Sequence, residues 1–571
     1  MTSPPPDARG ASGARAYVST ENILTALLVS LYVAARLWRL TATCLWFDEI
    51  FSFTAARHTW VELWRFAAAD LIHPPLFYAL LKLWTTVGGD SLLWLRLLPA
   101  LTSILALVPF FLLARELRLG RRATNIALLL LAANGYLIKY AQEVRMYSLL
   151  LLLALASLWL LAKLLNSERA SRGLLLALFF VNLLLVYTHY YGWLVVACEV
   201  VFLALRDRRK LPPFLLTGAA IALLFAPWAF ACASAAGEGG GLAQNIGWIG
   251  RPGGADIAQM FALLNEPFHF RQSSDQPLYA RGGLLLGLLL TGLPIVALLA
   301  RLVKRRDKDS ESDSEDDAAA RSDNARKSYE NARKSVVAFL VFFTVAPVAL
   351  AFVASYALPV SVWGTRHLIA IAAPYAMLAG VALATLRPLP LKAAALLLLC
   401  CWFLMTGALT LVRVEGAYIW CAWEGLAASA VKEDAASVVV EKDAGAAPLN
   451  VYAFEDLVAY HLWFALERDG GGKRNFKVVV LKNVPGVAED TAYFLPRRFD
   501  GVGVASADSI GGERFWAAFR ATRWDESRPP LRLLLERGYR AGKIYETGAQ
   551  GQRAFLVMFV RDDAAQPLTP R

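Results

Sequence analysis

Eleven apolar runs dominate this 571-residue chain, at about 22–40, 96–114, 123–138, 147–165, 173–188, 191–205, 212–232, 282–300, 336–357, 367–386 and 391–411. Most have the length that an α-helix needs to cross the hydrocarbon layer of a bilayer. A backbone in lipid must satisfy its own hydrogen bonds, so runs of this kind are read as membrane-spanning helices. Composition agrees, since 57% of residues are hydrophobic and only 18% charged, where soluble proteins carry about a quarter charged. A disordered chain and a purely soluble enzyme are both excluded. The shorter stretch PPLFYALLKLWTTV (74–87) begins on two prolines and reads as a juxtamembrane or re-entrant helix.

The formal charge is +12. Residues 412–571 carry 21 basic and 21 acidic side chains, so the whole excess lies in residues 1–411, between the apolar runs. The neutral tail offers no basic aromatic platform, and nucleic acid is not expected as a partner. Lys and Arg concentrate in the segments 115–122, 163–172, 206–210, 301–335 and 387–392. By the positive-inside bias these face the cytoplasm, which places the N-terminus inside and the C-terminus outside a cytoplasmic membrane. Residues 1–21 then form a cytoplasmic tail without an evident cleavable signal, and the first run stays as an anchor. The mixed-charge, Ser-rich loop 304–335 reads as a disordered cytoplasmic linker.

The fold class that follows is mainly α. A polytopic core spans 22–411, with its first outer loop at 41–95, and an extracytoplasmic α/β domain spans 412–571. Strand-like runs in that domain are SVVVE (437–441), LNVYAF (449–454) and FKVVVLK (476–482), around an amphipathic helix at 455–466 and before a hairpin at 543–561. No GxGxxG or P-loop accompanies them. The six cysteines show no metal-ligand spacing, and most lie in apolar runs where Cys acts as a small hydrophobe. A Cys44–Cys421 disulfide outside the cytoplasm is the less favoured alternative.

With this topology the unusual polar residues gather on the outer face. LWFDEIFSF places Asp48 and Glu49 just beyond the first run, and LIHPPLFY places His73 before Pro74 and Pro75. IKYAQEVRMYS supplies Lys139, Glu143, Arg145 and Tyr147; VYTHYYGW supplies His189; SVWGTRHL supplies Arg366 and His367. Singly, each has a bland reading as solvated surface, headgroup anchor or aromatic belt. Together they are costly at membrane depth unless they pair or line a cavity. Glu199, inside an apolar run, stands apart and reads as a neutral or paired carboxyl.

A carboxylate beside an apolar wall with several cations nearby suits transfer of a sugar from a polyprenyl phosphate. Arg and Lys hold the phosphate and stabilise it as it leaves, and a carboxylate takes the acceptor hydroxyl's proton. One displacement with one base inverts the anomeric carbon. A transporter or flippase of polyprenyl-linked sugars would share the cations but not need Asp48. A non-catalytic envelope scaffold would need only the tail.

WFDEIFSF, HPPLFYALLKLW, RLLPALTSILALVPFFLLARELRLGRR and YAQEVRMYSLLLLLAL, in this order, resemble the bacterial branch of the GT-C membrane glycosyltransferases. These are the glycosyltransferase family 39 or protein mannosyltransferase-like proteins, which include aminoarabinose and lipopolysaccharide-core sugar transferases. The resemblance is dense over 22–210 and thinner over 361–380. It implies Asp48 as the catalytic base, with Glu49 as its acidic neighbour. It implies Arg145 and Arg366 at the donor phosphate, with His73 where some relatives carry Lys. Glu143 matches the same motif as Arg145, and His189 a donor contact; Lys139, Tyr147 and His367 complete the expected donor-phosphate or sugar set. The partners it implies are a polyprenyl-phosphate-linked sugar, an acceptor lipid, glycan or protein, and membrane lipid. No cofactor or resident metal is required by it, and a divalent cation on Asp48 and Glu49 is the minor alternative.

Overall fold

In the computed structural model the described residues are 20–237, 247, 249–268, 280–309, 317–412, 418–441, 449–469, 476–487, 495–497, 499–549 and 551–562. Eight helical segments among them are long and apolar enough to cross a membrane: Thr20–Leu37 (α1), Leu92–Glu116, Tyr147–Asn166, Leu211–Gly237, Arg281–Lys304, Glu330–Ala357, Thr365–Ala384 and Leu389–Val412. They coincide with eight of the eleven apolar runs. Their outward faces are uncovered and apolar, with Leu216, Leu404 and Phe230 between 73% and 75% exposed. Such a surface suits acyl chains, not water.

The other three runs form shorter helices in the same bundle. Run 123–138 is divided at Asn134, whose extended backbone separates helix Arg121–Ala133 from Gly135–Gln142. The Asn134 side chain caps the second piece by accepting the Leu137 N–H at 2.9 Å. Runs 173–188 and 191–205 become Arg172–Thr188 and Tyr191–Arg206, parted by extended His189. Arg121–Ala133 packs between α1 and helix Ala372–Ala384, and Arg172–Thr188 packs against Tyr147–Asn166 and Leu211–Gly237. The expected disordered loop 304–335 is helical over the described parts, up to Asp309 and again from Asp317. DAAARSDNARKSYENARK is rich in strong helix formers, and it extends the following apolar helix outward. Residues 310–316 of that loop, and the expected tail as far as residue 19, lie outside the described residues.

The first outer loop folds into three short helices, Phe47–Arg57 (α2), Trp60–Asp70 (α3) and Leu76–Gly88 (α4). Leu71, at φ 64°, ends α3 in the left-handed region and turns the chain toward His73. α4 is the short helix that PPLFYALLKLWTTV predicts.

The tail carries a six-stranded sheet in the order β3-β2-β1-β4-β6-β5. Its strands are Leu449–Ala453 (β1), Phe476–Lys482 (β2), Gly503–Ser506 (β3), Arg514–Ala521 (β4), Tyr539–Ala549 (β5) and Gln552–Arg561 (β6). β1 to β4 pair in parallel, while β6 runs antiparallel between β4 and β5. SVVVE, expected as a strand, is instead the last turn of helix Ala422–Glu441. Its three valines continue an Ala-rich helix that has already nucleated, and propagation outweighs their β preference.

The sheet unit is held to the outer loop. A disulfide joins Cys44 to Cys421, against the preferred reading of these thiols as small hydrophobes. Helix Asp456–Asp469 packs on α2, with Tyr460 5.2 Å from Phe47 and Phe464 5.8 Å from Phe53, ring centre to ring centre.

Candidate active site

The site is built on the first turn of α2. Glu49 Oε2 accepts the Trp46 N–H at 2.9 Å and so fixes where α2 begins. The same carboxylate is bridged by Arg96, with Nη2–Oε2 at 3.0 Å and Nε–Oε1 at 3.3 Å. Oε1 also accepts the Val144 N–H at 2.9 Å. Arg96 in turn donates to the carbonyls of Leu40, Thr43 and Cys44. Glu49 is 2% exposed and both of its oxygens are engaged. It is a hub that locks residues 143–145 to α2, not an available acid, base or metal ligand.

Asp48 occupies the opposite side of that turn. Its Oδ2 is 3.0 Å from Arg366 Nη1, an ion pair across 318 residues of sequence. Arg366 lies on the 3₁₀ turn Thr365–Ile371, with its guanidinium 5.9 Å from the centre of the Tyr147 ring. Arg145 donates through Nη1 to the Asp48 carbonyl at 3.1 Å and to Ser52 Oγ at 3.2 Å. Its Nη2 reaches His73 Nδ1 at 3.1 Å. Burial pushes the Asp48 carboxyl up, but Arg145 and Arg366 outweigh it and hold the group below its ordinary value.

His73, His189 and His367 close the cluster, each offering a ring nitrogen within 4.8 Å of the others. The spacing alone would suit a metal ion. The hydrogen bonds argue otherwise. His73 Nδ1 faces the guanidinium of Arg145, which can only donate. His189 Nδ1 accepts the Tyr191 N–H at 3.0 Å. A neutral imidazole that accepts at Nδ1 carries its proton on Nε2, so His189 presents an N–H group there. Burial, with Arg145 and neighbouring imidazoles adding, pushes both groups well below the ordinary histidine value, which keeps them neutral. His189 Nε2 is buried without a hydrogen-bond partner among the described residues. Two guanidinium groups and the His189 N–H are arranged to receive an anion.

A cavity of about 730 Å³ lies on the other side of the α2 turn. Leu31 and Trp38 wall one side, Phe403 and Leu404 the other, and Lys139 and Glu143 sit at its polar end. Burial pushes the Glu143 carboxyl up to about 7 against the opposing pull of Lys139. The sequence-expected residues thus divide. Asp48, His73, Arg145, Tyr147, His189, Arg366 and His367 meet in one cluster, Lys139 and Glu143 line the adjoining cavity, and Glu49 stands between as scaffold.

Two residues of the site carry no clear sequence signal of their role. Arg96 is signalled only by being a cation inside LLWLRLLPA, where a charge demands a partner. Asp70, the last residue of α3, has its carboxyl pushed up to about 7 by burial; Arg145 opposes this and Asp48 adds to it. Glu199, the separate oddity, bonds Ser157 and Asn182 across three helices and does not reach the site.

The sequence profile of the family described as dolichyl-phosphate-mannose-protein mannosyltransferase matches residues 72–230. Among solved structures, the chain is similar to ArnT from Cupriavidus metallidurans bound to undecaprenyl phosphate. That alignment has 15% identity and a TM-score of 0.52, covering 96% of this chain and 99% of that one. The same protein in its apo state aligns with 14% identity and a TM-score of 0.53, over 94% and 97% of the two chains. No curated protein sequence matches at a significant level. The fold is that of the GT-C membrane glycosyltransferases, as the ordered outer-loop motifs imply.

Proposed function

We propose that this multi-pass membrane protein is a glycosyltransferase that moves a sugar from a polyprenyl-phosphate donor to an acceptor hydroxyl, with inversion. The reaction takes place on the outer face of the cytoplasmic membrane. The observation that carries this reading is the Asp48–Arg366 ion pair beside Arg145 and the neutral histidines. It combines a carboxylate with an anion cradle at one point. The family profile over 72–230 and the ArnT-like fold support the same class of reaction. In the ArnT structure the bound molecule is undecaprenyl phosphate, the kind of leaving group such a cradle would take.

In the proposed step the acceptor oxygen forms a bond to the anomeric carbon as the bond from that carbon to the phosphate oxygen breaks. The electron pair leaves with the phosphate, which gains one negative charge, and Arg145 and Arg366 neutralise it. The acceptor proton passes to Asp48. Donor binding prepares this transfer. A phosphate drawn to Arg366 and Arg145 competes for the cations that hold the Asp48 carboxyl low, so its basicity rises when the substrate is present. The Cys44–Cys421 disulfide supports the outer-face assignment, because such bonds persist in oxidising compartments.

The test is Asp48→Asn in purified protein given a polyprenyl-phosphate-linked sugar. Transfer should fall on the order of 10²–10⁴-fold, the usual worth of a general base, while the variant still binds undecaprenyl phosphate. Transfer at the wild-type rate would remove Asp48 from the role.

A further inference from the structure

Three polar side chains buried inside the helix bundle take no part in the anion cradle. Ser157 lies on helix Tyr147–Asn166, Asn182 on Arg172–Thr188 and Glu199 on Tyr191–Arg206. None is more than 1% exposed. Ser157 Oγ stands 2.5 Å from both Asn182 Oδ1 and Glu199 Oε1, and Asn182 Nδ2 is 2.8 Å from Glu199 Oε2. These contacts close a ring across three helices.

Counting protons fixes the state of that ring. Ser157 supplies one proton and the Asn182 amide supplies one toward the carboxyl, but three contacts need three. The third comes from Glu199. Its Oε1–H donates to Ser157 Oγ, Ser157 donates to Asn182 Oδ1, and Asn182 Nδ2 donates to Glu199 Oε2. Turning the amide over reverses the direction of the ring and leaves the count unchanged. An ionised Glu199 would set two bare oxygens against each other. No cation pairs with it among the described residues, and an unpaired charge at this depth is costly.

The ring brackets His189. Asn182 precedes that residue by seven positions, two helical turns, and Glu199 follows it by ten. At the apex, Gly192 packs so closely on the preceding helix that a Cβ there would fall 2.6 Å from the Leu185 carbonyl oxygen. The same oxygen accepts the His189 N–H at 3.2 Å. The two helices therefore form a hairpin with His189 at its tip. Gly192 pins the tip, and the Asn182–Glu199 bond pins the arms. Ser157 ties this hairpin to the helix that begins at Tyr147, two residues after Arg145. We propose that Glu199, as a neutral acid, is a positioning residue that holds the His189 N–H in register with Arg145 for the donor phosphate. It touches no substrate and acts through the hairpin. The proposal rests on the glycosyltransferase reading, in which His189 meets the phosphate.

A double-mutant cycle between Glu199 and His189 in the full-length protein, read by undecaprenyl phosphate binding, tests this. Glu199→Gln keeps the ring closed, because its amide N–H donates to Ser157 and its oxygen accepts from Asn182. Its affinity should stay within about twofold of wild type. Glu199→Leu leaves the Asn182 amide without its acceptor and should lower affinity about tenfold or more. His189→Ala should lower affinity as well, and adding Glu199→Leu to it should cost less than twofold further. Should Glu199→Leu fail to fold, Ser157→Ala opens the same ring with the loss of one hydroxyl and enters the cycle in its place, with a loss of about threefold. A lower melting temperature with unchanged affinity would make Glu199 merely structural and overturn the proposal, as would losses that multiply in the double variant. Equal losses in Glu199→Gln and Glu199→Leu would also overturn it. The infrared difference between wild type and Glu199→Gln should show a carboxylic acid C=O band, whether or not the donor binds, and a carboxylate band there would refute the neutral acid. Wild-type protein that shows the acid band but does not bind undecaprenyl phosphate would instead overturn the glycosyltransferase reading.

Discussion

Glu49 shows how one buried side chain can decide the geometry of a neighbour. Its bonds to Arg96, Trp46 N–H and Val144 N–H fix the turn on which Asp48 stands. Arg96→Met would leave this carboxylate buried and unpaired, a change that costs about 3–5 kcal/mol in comparable sites. We expect a correspondingly lower melting temperature and weaker undecaprenyl phosphate binding, although Arg96 bonds Glu49 and not the Asp48–Arg366 pair. The pH behaviour belongs to the same scale. Glu143 and Asp70 are both pushed up to about 7, chiefly by burial. A carboxyl raised on folding contributes stability below its unfolded pKa, and that contribution is lost as pH rises through the folded value. The ligand-free melting temperature should therefore fall between about pH 4 and pH 7. Glu143→Gln should flatten the fall, and an unchanged slope in that variant would contradict the burial of this carboxyl. Asp48, held low, acts in the opposite sense and only in acid. Such roles are partly legible in sequence. Asp48, Arg145 and Arg366 declare themselves as polar residues at membrane boundaries, but whether a carboxylate is free or doubly bridged depends on Arg96, which arrives from 47 residues away.

At the scale of elements, apolar length locates helices well and their interruptions poorly. Residues 123–138 read as one run because Asn134 is a single polar residue among leucines and alanines. The break becomes intelligible only with its partners. Asn134 donates to the carbonyls of Leu263 and Leu264, and the guanidinium of Arg36 donates to the orphan carbonyls of Leu131 and Ala132 at 2.8 Å. These long-range bonds stabilise an ending that local propensity opposes. Gln142 does the same for α1, donating to the Arg36 and Trp38 carbonyls. The tail repeats the lesson. β1, β2 and the β5–β6 hairpin follow from local β-branched and alternating patterns, while RFWAAFRA in β4 carries two alanines at its centre and is a strand because both its faces are covered. Asn134→Ala removes an N-cap and the two outgoing bonds together. The expected loss is about 1–3 kcal/mol, measured by thermal melting, and no loss would show that the break is held by packing alone.

The whole molecule turns on a parity argument. Turns that meet at the site must lie on one membrane face, so an even number of crossings separates each from the next. His73 and Arg145 touch, which requires two crossings between them; Leu92–Glu116 supplies one and the broken helix 121–142 must supply the other. The His73 and His189 rings lie 5.1 Å apart, so Arg172–Thr188 must cross to pair with Tyr147–Asn166. His189 and His367 lie 4.7 Å apart, and Tyr191–Arg206 must cross to make four with the three long helices that follow. Its 16 residues span only about 24 Å at 1.5 Å per residue, short of a ~30 Å hydrocarbon layer, so the bilayer thins there or flanking residues reach outward. The Cys44–Cys421 bond applies the same rule to the last pair, Thr365–Ala384 and Leu389–Val412. With the proposed outer-face site all eleven runs would cross, which would put residues 41–95 and the described residues of the sheet unit on the face opposite residue 20. Alkaline phosphatase fused after residue 562 should be active, and the same reporter inserted in the basic loop 163–172 should be inactive. Non-reducing peptide mapping of the intact protein should recover Cys44 joined to Cys421, and blocking oxidation outside the cytoplasm should abolish that peptide. An active reporter at 163–172, or free thiols at both cysteines in protein purified without reductant, would mean that the site faces the other way.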